Sequence, residues 1–361
     1  MRPRTLLLLL IVPGLPPGVS GAQAVPRTDT PPAGLFRVTF EPVISTWEHE
    51  WIDGARRRIG ASLPATVRVR AETRVTPLVV EFGITNRVAI GVRLPLVRQR
   101  TREFLVPDSA GLALDTLLRD STYQFDPLVN TPRRLRFWPG DVEVEGKYRI
   151  VESPAWRLSG SVIVRLPTGH LDSPHRLFDI PTGDHQLDVE ARVAQELIVG
   201  GRLWLNAALR LGRQQAGTRE RRVGPSAMLL VPRAATARLD WDPGDYIGID
   251  VAPMYRFSRH FAVGPTAAYW VRAHDHYAYR SAQDSIAVAT ALGSPVAARV
   301  LDTGTAERQV RLGVAISYMG SRVEGAVSIE QTVSATGGAP GAVIPAGSVF
   351  RVVMRTSRWP F

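Results

Sequence analysis

The sequence predicts an all-β fold: a transmembrane antiparallel up-and-down β-barrel of about 12 strands, with short periplasmic turns and long extracellular loops. Three observations carry this. Segment after segment alternates apolar and charged residues with a period of two. Connections between segments alternate short and long with the same strictness. The chain begins like an exported protein and ends on an aromatic residue, Phe361.

The alternation is sharpest in Gly140–Arg213. Val142, Val144, Tyr148 and Ile150 stand between Asp141, Glu143, Glu145, Lys147 and Arg149. Successive side chains of a strand point to opposite faces, so one face here is apolar and the other fully charged. A water-soluble sandwich would turn the charged face to solvent. A membrane barrel turns the apolar face to lipid and the charged face to its lumen.

In chain order, Arg2 and Arg4 precede the apolar run Leu6–Val12, and Ala22-Gln23-Ala24 offers a small-x-small cleavage site. Residues 1–24 are therefore expected to be a cleaved signal peptide, 25–34 a Pro-rich flexible leader, and 35–361 the barrel. Phe36, Val38 and Phe40 mark a first strand, and Trp47–Arg58 reads as a loop. Val67–Ile84 reads as a long strand whose apolar set changes phase, from which a bulge near Pro77 is expected. Thr85-Asn86 turns the chain into Val88–Leu96, and a loop spans 105–139.

The hairpin of Gly140–Ile150 and Arg157–Leu166, across a short turn at Glu152–Ala155, follows, then a loop bounded by Pro167-Thr168-Gly169 and Pro181-Thr182-Gly183. Leu187–Val193 and Leu203–Leu211 pair across Gly200-Gly201, and a loop runs from 214 to 244. Ile247–Phe257 with Val263–Val271, and Val310–Tyr318 with Val323–Ile329, make two more hairpins. The last strand is 349–361, with Pro360 marking a phase slip before the terminal aromatic. Every hairpin closes on a short turn and joins the next by a long loop. A soluble multi-sheet protein has no reason to keep that parity, whereas single-chain outer-membrane barrels do.

Composition removes other classes. No apolar run approaches the roughly 20 residues of a spanning helix. There is no cysteine, hence no disulfide and no thiolate metal site. Net charge is +11, and Lys147 is the only lysine, so the positive charge is almost wholly guanidinium. The arginines are dispersed among apolar and acidic residues rather than gathered in one arm, and nucleic acid is not the expected partner. Outer-membrane lipid and lipopolysaccharide phosphates are, together with the barrel-assembly machinery, for which Trp359 and Phe361 on the final strand form the expected signal. The expected location is the bacterial outer membrane, reached by export through the cleaved signal.

Gly140-Asp141-Val142 with Lys147-Tyr148-Arg149, then Leu166-Pro167-Thr168-Gly169, Gly183 and Asp188, resembles the meta-pathway phenol-degradation family of outer-membrane, transporter-like barrels. In that pattern a Gly-Asp strand ending in Lys-Tyr is followed by a strand ending Pro-Thr-Gly, a Gly-Thr-Gly-like turn and an Asp on the next strand. Here Pro181-Thr182-Gly183 stands at the second turn. The match covers residues 140–213. It implies uptake of small, often aromatic or hydrophobic molecules, and it implies no catalytic residues. Fold carries over from such a likeness better than substrate does.

No enzyme chemistry is expected and no cofactor is implied. The histidines fall in loops and turns, none in the His-x-Ser-Asn-Gly pattern of lipid-hydrolysing barrels, and His274-Asp275-His276 lacks further ligands at metal-binding spacing. The charged face supplies the candidate lumen residues: Glu143, Glu145, Lys147, Arg149, Arg157, Arg165, Asp188, Glu190, Arg192, Arg202, Arg210, Asp250, Arg256, Arg311, Glu324 and Glu330. Both signs occur on neighbouring strands, so cross-strand ion pairs are expected. The favoured function is passive uptake of a small solute, with the loops 105–139 and 214–244 (Phe125, Phe137, Trp138, Trp241) as a capture surface. The alternatives are a closed structural or surface-binding barrel and, behind it, a lipid-modifying one.

Overall fold

A computed structural model of the chain describes residues 27–126, 137–225, 228, 230–320, 323–338 and 344–359. Residues 1–24, expected to be a signal peptide, and Pro360 and Phe361 lie outside these residues. The alternating segments form twelve antiparallel barrel strands. They are β1 (Phe36–Phe40, resuming at Val43–Trp47), β2 (Val67–Gly83), β3 (Val88–Leu105), β4 (Val142–Glu152), β5 (Trp156–Leu166) and β6 (Asp188–Val199). Then come β7 (Leu203–Gln214), β8 (Tyr246–Arg256), β9 (Phe261–Arg272), β10 (Glu307–Met319), β11 (Val323–Thr336) and β12 (Ser348–Trp359). Each pairs with the next, and β1 closes the sheet by pairing with both β2 (Phe40 opposite Leu78) and β12 (Phe40 opposite Met354). Closure leaves no barrel edge, which is what a strand structure in lipid requires.

The two faces follow the alternation. Ile90, Leu211, Val314 and Ile316 are 45%, 47%, 55% and 53% exposed on the outside. Apolar side chains exposed to this degree all around a barrel are the belt that hydrocarbon covers. Most inward positions are charged, polar or small; near the short turns Trp204 and Met254 join Ala194, Ala208, Ala252, Ala262 and Ala315 in lining the lumen.

The phase change expected in Val67–Ile84 does not occur. β2 and β3 pair without a register shift from Val67 opposite Leu105 to Gly83 opposite Ala89. Odd-numbered residues of β2 face inward along its whole length. What changes is the character of the outer face. Below Thr76 the outward residues are apolar (Leu78, Val80 and Phe82); above it they include Arg68, Arg70 and Arg74, while Val67, Val69 and Ala71 pack inward on the loops. The interruption lies instead in β1, where Glu41 and Pro42 separate its two halves; the Glu41 N–H donates to the Pro77 carbonyl (3.1 Å).

The stretch Trp47–Arg58, expected as a loop, holds the end of β1 and a small hairpin, His49–Ile52 with Ala55–Arg58, extended by Ile344–Pro345. Its turn, Asp53-Gly54, has positive φ at both residues (49° and 78°), the backbone of a two-residue hairpin turn. A phase slip near the C-terminus falls between Thr356 and Trp359. Val38 pairs with Thr356 and Phe36 with Trp359, so one extra residue bulges out of β12.

The long connections pack together over one end of the barrel. Helix α1 (Ser109–Arg119), N-capped by the Asp108 carboxylate accepting from Gly111 N–H (2.7 Å), buries Leu114 and Leu118 against Val67, Val69 and Leu105. Strands Gly217–Arg222, Thr236–Asp242 and His276–Tyr279 form a small sheet under helix α2 (Ala282–Leu292), with Leu239, Trp241 and Val288 in its core. The loop after β5 is tied in by Asp172, which pairs with Arg219 and with Arg221 (2.6 Å). Burial opposes ionisation of Asp172, but the two guanidiniums outweigh it and hold its pKa below the usual carboxylate range.

Candidate functional site

The candidate site is the lumen. Parity alone places its residues: β4, β5 and β10 present odd positions inward, and β6–β9 and β11 present even ones. Glu143, Glu145, Lys147, Arg149, Arg157, Arg165, Asp188, Glu190, Arg192, Arg210, Asp250, Arg311, Glu324 and Glu330 all stand at inward positions. Arg202 does not. It lies in the turn before β7, exposed, because Gly200 and Gly201 reverse the chain there. Arg256, at the end of β8, is spent on its own turn, donating to the carbonyls of Ser258 (3.2 Å) and Arg259 (2.7 Å).

The inward charges form two tiers. In the tier toward the long loops, Arg165 bridges Asp188 (2.9 Å) and Glu143 (3.3 Å), and Arg93 bridges Glu143 (3.8 Å) and Glu41 (3.4 Å). Glu190 accepts from Arg192 (2.8 Å) and from the Tyr246 hydroxyl (2.6 Å). Arg210 pairs with Asp250 (3.0 Å), Arg272 with Glu307 (2.9 Å), Arg311 with Glu330 (4.0 Å) and Arg351 with Glu41 (3.5 Å). These residues come from every barrel strand except β2. Taking charges out of water is costly unless each finds a counter-charge, and neighbouring strands of opposite sign provide one.

Within this tier a cavity of about 220 Å³ is lined by Arg165, Glu190, Arg210, Gln214, Tyr246, Trp270, Arg272 and Glu307. At ~30 Å³ per water molecule it holds a handful of waters or one small solute. Its wall is aromatic on one side: Tyr246 stacks on Trp270 (centroids 4.3 Å), and the Arg210 guanidinium lies 5.5 Å from the Trp270 ring. Trp270, Arg272 and Glu307 were not singled out from the sequence, although extending the same alternation to the strand ends reaches them.

The second tier, toward the short turns, is organised by a segment expected to be flexible. Arg27, Thr28, Asp29 and Thr30 are buried inside the barrel. Arg27 pairs with Glu324 on β11 (2.5 Å) and with Asp29 (3.2 Å), and the Thr28 N–H donates to Glu196 on β6 (3.3 Å). β6 and β11 are five strands apart in a ring of twelve, so consecutive residues touch nearly opposite walls. The segment crosses the lumen. Asp29 is its hub, reaching Arg37 (2.8 Å) and Arg355 (3.8 Å), while Glu81 joins Arg37 (3.6 Å) to Lys147 (3.0 Å).

The loop aromatics expected to capture solute are divided. Phe125 and Trp241 are buried: Phe125 lies under the Arg222 guanidinium (3.6 Å), and the Trp241 indole donates to Asp275 (3.0 Å). They hold the cap together rather than face solvent. Trp138 is exposed and stacks on His170 (5.6 Å). Among the described residues, no three His, Asp or Glu side chains are placed to hold a metal ion.

The motif at residues 140–188 forms a clasp beneath the cap. The Asp141 carboxylate accepts from the N–H groups of Gly169 (2.6 Å) and Asp184 (2.9 Å), and the Thr168 hydroxyl donates to the Gly140 carbonyl (2.8 Å). A Cβ on Gly183 would stand 2.1 Å from the Asp141 carboxylate, so only glycine fits. Both Pro-Thr-Gly turns are thus pinned to one aspartate at the lumen's mouth.

No protein-family model matches the chain, and no curated protein sequence does. Solved structures do share its fold. A COG4313 outer membrane channel from Pseudomonas putida F1 superposes with a TM-score of 0.58 at 10% identity, over 92% of this chain and 99% of that one. Weaker likenesses are a TodX monoaromatic hydrocarbon channel deltaS2 mutant (TM-score 0.43, 7% identity, 91% of each chain) and the NanC porin (TM-score 0.38, 9% identity, 88% of this chain and 98% of that one). At these identities the likeness is one of fold.

Proposed function

We propose that the chain is an outer-membrane channel for passive uptake of a small solute, with its short turns in the periplasm and its packed long loops outside. The observation that carries this reading is the ion-paired tier around the lumen with a solute-sized cavity in it. Charges of both signs on neighbouring strands around the ring line a hydrated path whose field acts on a polar solute. The overall superposition on an outer membrane channel supports the same assignment, as does the resemblance at 140–213 to phenol-degradation barrels. The Tyr246–Trp270 wall adds a surface for an aromatic solute.

Purified protein reconstituted in planar bilayers tests the proposal. Discrete conductance steps are expected, and a barrel that never conducts and never admits solute in liposome swelling contradicts it. The crossing segment 27–30 favours a second reading, a closed barrel that displays its loops. Complete absence of conductance from a variant lacking residues 27–30 decides for that reading.

A further inference from the structure

β2 and β3 are the longest strands of the barrel, 17 and 18 residues, and they run past the belt on the long-loop side. Their inner face there is fixed by apolar packing on α1. Their outer face turns to arginine at the first position beyond Thr76 and Leu96. Arg74 stands opposite Arg98, and Arg70 opposite Arg102, with Arg68 one step further along. Like charges directly opposite each other on one face of a sheet are destabilising, so nothing in the fold itself calls for this ladder. Among the described residues, two acids pair with it: Glu72 with Arg74 (2.6 Å), and Glu48 with Arg70 (3.7 Å), the second pair more than half exposed on both sides. Arg68 and Arg102, both exposed, add positive charge beside these two pairs, and the patch is net positive.

From the position of this patch, and on the reading that the barrel sits in the outer membrane, we propose that it binds the phosphorylated glycolipid headgroup of the outer leaflet. Two residues beyond the last belt position is about 7 Å along the strand, which puts Arg74 and Arg98 in the headgroup layer. Arg70 and Arg102 lie about 14 Å further along. One phosphate engages one row; a headgroup carrying two phosphates on a sugar framework engages both. Guanidinium, planar and weakly hydrated, suits phosphate better than ammonium does. The remaining outward arginines near the belt edge, Arg213 and Arg308, have no arginine opposite them and serve as controls.

The test is binding of bisphosphorylated lipid A to the detergent-solubilised full chain, by native mass spectrometry with titration. At roughly fivefold per surface charge, Arg70→Gln with Arg102→Gln weakens binding about 30-fold, as does Arg74→Gln with Arg98→Gln. Monophosphorylated lipid A binds between the wild-type and variant values, binding weakens with salt, and Arg213→Gln with Arg308→Gln leaves it unchanged. Equal binding by wild type and ladder variants overturns the proposal. So does equal binding of phosphate-free lipid, and so does full displacement by millimolar inorganic phosphate, which would identify a free anion as the ligand. The salt titration on wild type keeps the test decisive if a double variant fails to fold. Conductance of the same variants separates this proposal from the channel: the ladder is outside the barrel, so its loss leaves conductance intact.

Discussion

Asp29→Asn removes one charge from the hub of the segment that crosses the lumen while keeping its shape. Asp29 lies 2.8 Å from Arg37, 3.2 Å from Arg27 and 3.8 Å from Arg355. Removing one partner of a buried ion pair costs about 3–5 kcal/mol. Arg27 keeps Glu324 and Arg37 keeps Glu81, so the lower end, about 3 kcal/mol, applies. Barrel strands are held by backbone ladders that this change leaves alone. The cost therefore falls on the seated segment, and a 3 kcal/mol loss shifts its seated-to-released ratio by about 150-fold. Single-channel recording reads the outcome: the released fraction of the segment rises, and open probability rises with it. Heat-modifiable gel mobility confirms that the barrel is folded. Unchanged open probability in a folded Asp29→Asn barrel refutes the view that these ion pairs seat the segment across the lumen.

Gly183→Ala drives a Cβ into the Asp141 carboxylate, so the clasp opens and the loop after β5 becomes protease-sensitive at unchanged barrel content by circular dichroism. Glu50, in the small hairpin outside the barrel, has its pKa pushed up to about 7 by burial. Its folded pKa exceeds the ordinary 4.5, so a folding penalty grows as pH rises from about 4.5 to about 7 and is constant above. Glu50→Gln accordingly slows exchange of the Ala346 amide, which donates to the His49 carbonyl, at pH 8 and leaves it unchanged at pH 4. Equal protection at pH 8 contradicts the sign.

The barrel was legible because a period of two is a local property. Val142–Ile150 or Val310–Tyr318 reveals its two faces without knowledge of any neighbour. Where reading failed, the missing information was the medium or a distant partner. Arg68, Arg70 and Arg74 have the same parity as Leu78 and Val80, and only the height of the belt edge explains their opposite polarity. The leader's burial depends on Glu196 and Glu324, 168 and 297 residues away, which no local pattern exposes. α2 was different: its Ser281 cap, with Asp284 three residues on and Gly293 in the left-handed region at its end, is a readable helix signature. Strand alternation alone does not register it. In the lumen, alternation found the charges but gave neither their pairing nor the aromatic wall, which requires Tyr246 and Trp270 to meet across β8 and β9.

The belt itself is open to one direct measurement. The chain has no cysteine, so single cysteines placed from 311 to 318 on β10 carry a nitroxide without background. In lipid vesicles, labels at 312, 314, 316 and 318 should be accessible to oxygen and shielded from a water-soluble nickel reagent, and labels at 311, 313, 315 and 317 should not share that signature. Loss of the alternation, or a mature chain that stays monomeric in water without detergent, would mean that a protein core and not hydrocarbon covers those side chains.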